Sequence, residues 1–270
     1  MRIAPAFRLA ALLGLITLFA LPAHAIVRGQ VSRDPNGLRQ FVVRVESSRG
    51  ELCSGVLIGP DVVLTAAHCL TDRAAYWIVA NDRAFRQRRV NAIGVVVHPA
   101  FVAGTTPRTQ PGVDLALLKL ERPLGPDFQP LSPSGAGIGT GDLLTIAGYG
   151  VVGEGQKGSA RVLRQTSLVS LGPLQVANRV LVAVDPERMA GRTGAGACRG
   201  DSGGPILGAG AQLVGIVSWS SGAFEERRAG ACGGFTAMTP LSEHGAWVAQ
   251  SAQSLSRIAT VPAGTRYTSR

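Results

Sequence analysis

The chain is poor in aromatic residues and in cysteine, and it has no apolar run beyond its first 25 residues that is long enough to cross a bilayer. Aromatic residues make up 5% of the sequence, and the single dense basic cluster, "RAFRQRR" at 83–89, is not a series of interleaved aromatics and cations. This argues against a single-strand nucleic-acid platform. The net charge of +10 comes from arginines that are otherwise scattered, which indicates a solvated basic surface without a nucleic-acid or membrane partner.

Four cysteines are present, without a Cys-x-x-Cys pair or a histidine spacing that suits tetrahedral zinc. This argues against a zinc site, and we expect no metal and no cofactor. Four cysteines allow three disulfide pairings, of which sequence proximity, together with the motifs described below, favours Cys53–Cys69 and Cys198–Cys232. Disulfides persist in oxidising compartments, so the cysteines predict a secreted or periplasmic protein.

The first 25 residues have the organisation of a secretory signal peptide. Arg2 and Arg8 precede the apolar segment "LAALLGLITLFAL", and Ala23 and Ala25 form a small-x-small cleavage site. The apolar segment is shorter than the ~18–20 residues that a membrane-spanning helix needs. Cleavage after Ala25 would leave Ile26 as the new amino terminus, although a short extension that is trimmed later stays open.

Short apolar runs separated by Gly, Pro and Asn turns extend over most of the remaining chain, as in "FVVRVE", "LCSGVLIG", "DLALLKL", "LLTIAGYG" and "LVGIVSW". This pattern predicts an all-β protein. A Pro- and Gly-rich connection separates two β halves, and one helix is expected near the end. The predicted regions are a domain over 26–258, an N-terminal half over about 26–125, a connection over 121–142, a C-terminal half over about 140–240, a helix over about 243–257 and a loose tail over 259–270.

Three distant segments contain residues that could act together in catalysis: "LTAAHC" around His68, "GVDLALLKL" around Asp114 and "ACRGDSGGPI" around Ser202. Each of them alone is more readily explained as a structural feature. Together they supply a hydroxyl, an imidazole that can take its proton, and a carboxylate that can orient the imidazole. The glycines beside Ser202 allow a tight turn that points two N–H groups at one spot.

Six ordered segments, "IVRG", "CSGVLIGPDVVLTAAHC", "DLALLKL", "IAGYG", "GDSGGP" and "IVSWS", resemble the chymotrypsin-like (trypsin-like) serine peptidases over nearly the whole mature length. The resemblance implies two packed antiparallel Greek-key β-barrels with the active site between them and a C-terminal helix. It also implies that His68 is the general base and then the acid, that Asp114 orients it, and that Ser202 is the nucleophile. These roles are those of the well-described triad of that family.

The resemblance assigns roles to further residues around the serine loop. The N–H groups of Gly200 and Ser202 would form the oxyanion hole, and the α-ammonium of Ile26 would pair with a buried Asp201. The Cys53–Cys69 disulfide would hold the histidine segment, and Cys198–Cys232 would hold the pocket wall. If the signal peptide ends directly before Ile26, export itself would release the activating amine.

The substrate-binding residues implied by the resemblance are Gly196, Ser218, Trp219, Ser220 and Gly233. Gly196 falls at the base of the primary specificity pocket, where an aspartate would select Arg or Lys. Its lack of charge predicts a neutral pocket for an apolar substrate residue of small to medium size, or an aromatic one, unless Glu225 or Glu226 reaches inward. Ser218–Ser220 would pair with the substrate backbone as an edge strand.

Two other functions fit parts of the sequence. "GDSGG" also matches the G-x-S-x-G nucleophile elbow of α/β-hydrolases, which would make the protein a serine esterase, but "SGGP" is a poor helix start. A catalytically silent peptidase-like binding protein is the other alternative. The favoured prediction is a monomeric serine endopeptidase whose partners are polypeptide substrates and protein inhibitors.

Overall fold

The computed structural model describes residues 26–34, 37–70, 73–226 and 230–259. The predicted signal peptide lies outside these residues, as does the predicted tail apart from Ala259. Thirteen strands and one α-helix are present in the described part of the chain. Among the described residues, no helix combines the length and the apolar composition that a transmembrane span requires.

The first barrel is a closed ring of six antiparallel strands. Its strands are β2 (Val42–Ser47), β3 (Leu52–Gly59), β4 (Val62–Thr65), β5 (Tyr76–Asn81), β6 (Gln87–Val97) and β7 (Ala116–Leu120). Valine, leucine and isoleucine dominate these strands, and such side chains pack well on a pleated, half-buried surface. The ring order β2-β3-β4-β7-β6-β5 places β4 beside β7, which is decisive for the site described below.

The second barrel is formed by β8 (Leu143–Gly148), β9 (Arg164–Gln175), β10 (Arg179–Val184), β11 (Pro205–Leu207), β12 (Leu213–Ser220) and β13 (Thr236–Pro240). The order β9-β10-β13-β12-β11-β8 closes because β8 also pairs with β9. The prediction of two antiparallel Greek-key barrels is therefore confirmed. The connection predicted over 121–142 lies between β7 and β8.

The first residues of the domain do not belong to the first barrel. The two-residue strand β1 (Gln30–Val31) pairs with β9, and Val27 forms an isolated bridge with Gly196. The first residues of the predicted N-terminal half over about 26–125 therefore pair with the second barrel. The physical reason is that the apolar Ile26 is buried among side chains of the second barrel, such as Leu144 and Ile146, and this holds the segment there.

The helix α1 (Gly245–Ser256) closes the described chain. Val248, Ser251 and Leu255 lie on its buried face, and their spacing of three and four residues is that of an amphipathic helix. The helix packs on β4 and β7, so it covers the first barrel although it follows the second. The largest hydrophobic core likewise contains side chains from both barrels, including Val42 and Ile216. The two barrels therefore share one continuous core, and a site between them has rigid walls.

Candidate active site

The antiparallel pairing of β4 with β7 brings His68 and Asp114 together. Thr65 is opposite Ala116 in the register, so the turn after β4 and the residues before β7 meet at one edge of the barrel. His68 lies in a 3₁₀ turn, Ala67–Leu70, directly after β4. Asp114 Oδ2 lies 2.8 Å from His68 Nδ1, and Asp114 Oδ1 accepts a hydrogen bond of 2.9 Å from the His68 main-chain N–H. The carboxylate thus fixes both the ring and the backbone of His68.

Asp114 is fully buried, and its environment favours the ionised form. Burial acts to raise its pKa, but the charge of His68 and hydrogen bonds from His68 and Ser218 outweigh burial, so the pKa lies below its usual value. The Ser218 hydroxyl donates to Asp114 Oδ2 at 2.5 Å. An ionised carboxylate at Nδ1 fixes the orientation of the imidazole and favours the tautomer in which Nε2 is the proton acceptor.

The serine loop lies against the first barrel because Gly203 allows a close approach. Its φ is +82°, and a methyl group at this position would overlap Thr65 Oγ1 and the Ser54 carbonyl oxygen. The Ser54 main-chain N–H donates to the Ser202 carbonyl oxygen at 2.8 Å. Ser202 Oγ lies 3.3 Å from the Ser218 carbonyl oxygen, to which it can donate. Ser202 therefore sits at the junction of the two barrels.

His68 and Ser202 line the same cavity, whose volume is about 900 Å³. The cavity lies between the barrels and is also lined by Ser218, Trp219 and Ser220 of β12. Three of the five predicted substrate-binding residues are thus brought to it. Gly196 and Gly233 are not among its lining residues; they lie beside each other, since a Cβ on Gly196 would be 3.4 Å from the Gly233 Cα.

The N–H groups of Gly200 and Ser202 have no acceptor within the described part of the chain, and both residues face the cavity. Gly200 has a φ of +96°, which favours glycine. Its carbonyl oxygen accepts a hydrogen bond of 2.8 Å from Ser54 Oγ, which in turn accepts one of 3.0 Å from the Tyr149 N–H. The sequence does not predict this positioning role of Ser54, although the residue directly follows Cys53 in the histidine segment.

Asp201 is buried beside the serine loop. Burial raises its pKa to about 7, against hydrogen bonds of 2.9 Å from the Cys198 N–H and 2.8 Å from the Gly150 N–H. Ile26 is 1% exposed and packs in one cluster with Ala197, while Val27 exchanges two backbone hydrogen bonds with Gly196. The start of the predicted mature chain therefore lies within the same part of the second barrel as Asp201.

Both favoured disulfides are present: Cys53–Cys69 with an S–S distance of 2.05 Å and Cys198–Cys232 with 2.00 Å. In the described residues, the single cluster with metal-ligand proximity is Cys53, His68 and Cys69. The two sulfurs are bonded to each other and offer no thiolate, which is the form of cysteine that binds metals.

Glu225 and Glu226 do not line the cavity. The Glu226 carboxylate accepts hydrogen bonds from the N–H and the hydroxyl of Thr193, at 2.7 and 2.8 Å. Both glutamates are exposed. The Ser220 hydroxyl donates to the Ala231 carbonyl oxygen at 2.7 Å, which fixes the end of the segment between β12 and β13 against the cavity wall.

The fold and this site define a class of two-barrel β proteins that gather His, Asp and Ser side chains between the barrels. The family model described as Trypsin matches residues 26–243, and the chain belongs to that family. It is 32% identical to human granzyme M over 203 residues, which cover 68% of this chain and 74% of that protein. The mouse structure described as neuropsin, a serine protease expressed in the limbic system of the brain, matches with a TM-score of 0.65 and 21% identity, over 83% of this chain and 99% of that one.

A further relative is the suppressor of tumorigenicity 14 protein homolog of Bos taurus, which is 30% identical over 219 residues. The match covers 67% of this chain but only 23% of that protein. This chain therefore corresponds to one part of the longer relative. The comparisons confirm the family resemblance on which the residue roles were predicted.

Proposed function

We propose that the protein is a serine endopeptidase that hydrolyses polypeptides through an acyl-enzyme. The observation that carries the proposal is the double hydrogen bond from His68 to the buried Asp114 carboxylate, in a cavity that His68 shares with Ser202. An imidazole held by an ionised carboxylate is the group that a weakly nucleophilic serine needs as its base. The two disulfides support a secreted or periplasmic location.

In the proposed reaction, Ser202 Oγ attacks the substrate carbonyl carbon while its proton passes to His68 Nε2. The oxyanion that forms accepts hydrogen bonds from the Gly200 and Ser202 N–H groups. Collapse of this intermediate breaks the C–N bond, and the leaving amine takes the proton from His68. Water then attacks the carbonyl carbon of the acyl-enzyme while His68 takes one of its protons. His68 gives this proton to Ser202 Oγ as the ester bond breaks, which releases the acid product and regenerates Ser202. Loss of one oxyanion-hole donor typically slows turnover ~10²–10³-fold.

The proposed activating group is the α-ammonium of Ile26, freed when the signal peptide is removed. The buried Asp201 has two amide donors but no ion pair within the described residues, so a cation beside it would be stabilising. In the uncleaved chain Ile26 has a φ of +54°, which is strained for a β-branched residue. This torsion exists only while the bond between residues 25 and 26 is intact, so cleavage there removes the strain. These features favour cleavage directly before Ile26.

The proposed substrate lies along Ser218–Ser220 of β12 and presents a neutral side chain to a pocket near Gly196. Glu225 and Glu226 are exposed, and the Glu226 carboxylate is bound to the N–H and the hydroxyl of Thr193. The α/β-hydrolase elbow is wrong for this chain, since that motif leads into a helix and Ser202 is followed by strand β11.

A fluorophosphonate probe tests the proposal directly. The exported protein should react at Ser202 and cleave denatured protein substrates, and Ser202→Ala should abolish both reactions. N-terminal sequencing of the same sample should give Ile26 as the first residue. If the folded protein starting at Ile26 leaves Ser202 unlabelled, the alternative of a catalytically silent binding protein replaces the endopeptidase.

A further inference from the structure

The loop between β6 and β7, residues 98–115, has a rigid internal brace. Gln110 is fully buried and makes four hydrogen bonds within the loop. Its Oε1 accepts from the N–H groups of Val102 and Gly112, each at 2.9 Å. Its Nε2 donates to the Val102 carbonyl oxygen at 2.9 Å and to Thr105 Oγ1 at 2.7 Å. A fully satisfied buried amide of this kind holds a loop in one conformation.

A second contact fixes this loop relative to the other barrel. Asn178, between β9 and β10, donates from Nδ2 to the Gly112 carbonyl oxygen at 2.6 Å. Position 112 has room only for glycine, because a Cβ there would overlap the Ala100 carbonyl group. The loop therefore forms a preorganised wall of the cavity, and three of its residues, Thr106, Pro107 and Arg108, line that cavity.

Arg108 lies over the indole ring of Trp219, with its Cζ 5.3 Å from the ring centroid. Trp219 itself packs on an apolar cluster that contains Val180 and Ala237, so the platform beneath the guanidinium is fixed. Arg108 is exposed and has no carboxylate within ion-pair distance in the described chain. A guanidinium on an aromatic face keeps its N–H groups directed outward, where they can bind a carboxylate with two parallel hydrogen bonds.

The other charged residues of the cavity add to the positive potential around Arg108. Its charged lining residues are the cations Arg108, Lys157, Arg161 and Arg199 and the acids Glu51 and Glu154. The Glu154 carboxylate accepts a hydrogen bond of 2.7 Å from the Ala231 N–H. Arg161 is paired with Glu46 at 3.3 Å, so Arg108, Lys157 and Arg199 remain against Glu51. A concave surface with an excess of one charge attracts ligands of the opposite charge.

Resting on the proposed function, we propose that Arg108 is a specificity-determining residue that selects substrates with a carboxylate side chain N-terminal to the scissile bond. The acyl part of the substrate, which becomes bound to Ser202, is the part that would pair with Ser218–Ser220. Trp219 and Arg108 border this part. At ~3.3 Å per residue of extended chain, the carboxylate belongs about two to four residues before the scissile bond. The substrate class is therefore acidic polypeptide, cleaved after a neutral residue.

The test uses fluorogenic peptides that are identical except for Glu, Gln or Lys at each of the second to fourth positions before the scissile bond. For the wild type, kcat/KM should be about fivefold higher with Glu than with Gln at one of them, the factor typical of a partly exposed ion pair. The ratio of kcat/KM for Glu to that for Gln should fall to about 1 in Arg108→Ala. In Arg108→Glu, the peptide with Lys at that position should be cleaved best. The wild-type ratio should also shrink at high salt, because ions screen exposed charges. Arg33→Ala, which removes an exposed arginine away from the cavity, is the matched control and should keep the wild-type ratio.

The selectivity ratio is independent of the amount of active enzyme, so partial misfolding of a variant does not alter it. The inference would be overturned if the wild type cleaved the Glu and Gln peptides with equal kcat/KM at all three positions. It would also be overturned if Arg108→Ala kept the wild-type preference for Glu. If the wild type cleaves no peptide, the proposed endopeptidase itself fails. Binding of the same peptides to Ser202→Ala, measured by fluorescence anisotropy, then still decides whether Arg108 discriminates between Glu and Gln.

Discussion

The hydroxyl of Ser218 lies 2.5 Å from Oδ2 of Asp114, although 104 residues separate them in the chain. This contact joins strand β12 of the second barrel to the carboxylate that orients His68 in the first. The same residue accepts, at its carbonyl oxygen, the contact of 3.3 Å from Ser202 Oγ. Ser218 therefore links the proposed nucleophile and the proposed orienting acid across the barrel interface.

Removal of this hydroxyl should make the folded protein lose stability at a higher pH on acidification. The pKa of Asp114 is lowered in part by the Ser218 hydrogen bond, and an acid with a lowered pKa loses its stabilising contribution as the pH falls through the folded-state value. In Ser218→Ala that loss should begin at a higher pH, and kcat/KM at neutral pH should fall about tenfold, since a hydrogen bond to a charged group contributes ~1.5–3 kcal/mol. The measurements are urea unfolding at several acidic pH values and kcat/KM at neutral pH, with Ser218→Thr as the variant that keeps a hydroxyl. Superimposable stability profiles for wild type and Ser218→Ala would contradict the role.

Gly148 should be required for the buried position of the Asp201 carboxylate. A methyl group on Gly148 would overlap Asp201 Oδ1, so Gly148→Ala must displace the carboxylate and with it the serine loop. We expect the rate of fluorophosphonate labelling to fall by about 10²-fold or more, as for loss of an oxyanion-hole donor, while the circular dichroism spectrum stays native. Gly155→Ala is the matched control, because a Cβ there has no neighbour within 4 Å. Equal labelling rates for Gly148→Ala and Gly155→Ala would show that the serine loop does not depend on the position of the Asp201 carboxylate.

Strand periodicity predicts an all-β protein, and the resemblance carried by six short motifs implies the two-barrel fold, because both signals are local in the sequence. Neither signal predicts contacts that exist only after the barrels close. The brace around Gln110 is an example: a glutamine in a Thr-, Pro- and Gly-rich segment is typical of an exposed loop, yet it is fully buried. The stacking of Arg108 on Trp219 likewise joins two segments with no shared pattern. Strand β1 has only two residues, too few for any periodicity to reveal its partner.

The pH dependence of stability should distinguish the uncleaved chain from the form that starts at Ile26. Burial raises the pKa of Asp201 to about 7 in the uncleaved chain, in which the Ile26 nitrogen is an uncharged amide. A raised acid pKa means that the stability contribution is complete below the unfolded-state value of ~3.9 and is lost as the pH rises through about 7. In the cleaved form, the α-ammonium should compensate the ionised Asp201. The uncleaved form should therefore become less stable than the cleaved form between about pH 4 and pH 7, by a few kcal/mol at ~1.4 kcal/mol per pKa unit.

Urea unfolding of the two forms at several pH values measures this difference, with Ser202→Ala in both to prevent self-cleavage. In Asp201→Asn, which cannot ionise, the uncleaved form should no longer lose this stability between pH 4 and pH 7. The pairing of Ile26 with Asp201 is contradicted if the cleaved and uncleaved forms with Asp201 intact are equally stable from pH 4 to pH 7.

A single substitution tests whether Gly196 sets the primary specificity. A Cβ on Gly196 would lie 3.3 Å from Thr236 Oγ1 and 3.4 Å from the Gly233 Cα, so a side chain there needs only small adjustments. An aspartate at the base of this pocket selects basic residues in trypsin. The wild type should cleave after neutral residues, and Gly196→Asp should increase kcat/KM for substrates with Arg before the scissile bond by at least about tenfold, the effect of ~1.4 kcal/mol. Gly196→Asn has nearly the same size without the charge and should not acquire this preference. If Gly196→Asp and Gly196→Asn cleave the same peptides, Gly196 does not face the substrate side chain, and the neutral pocket must be formed by other residues.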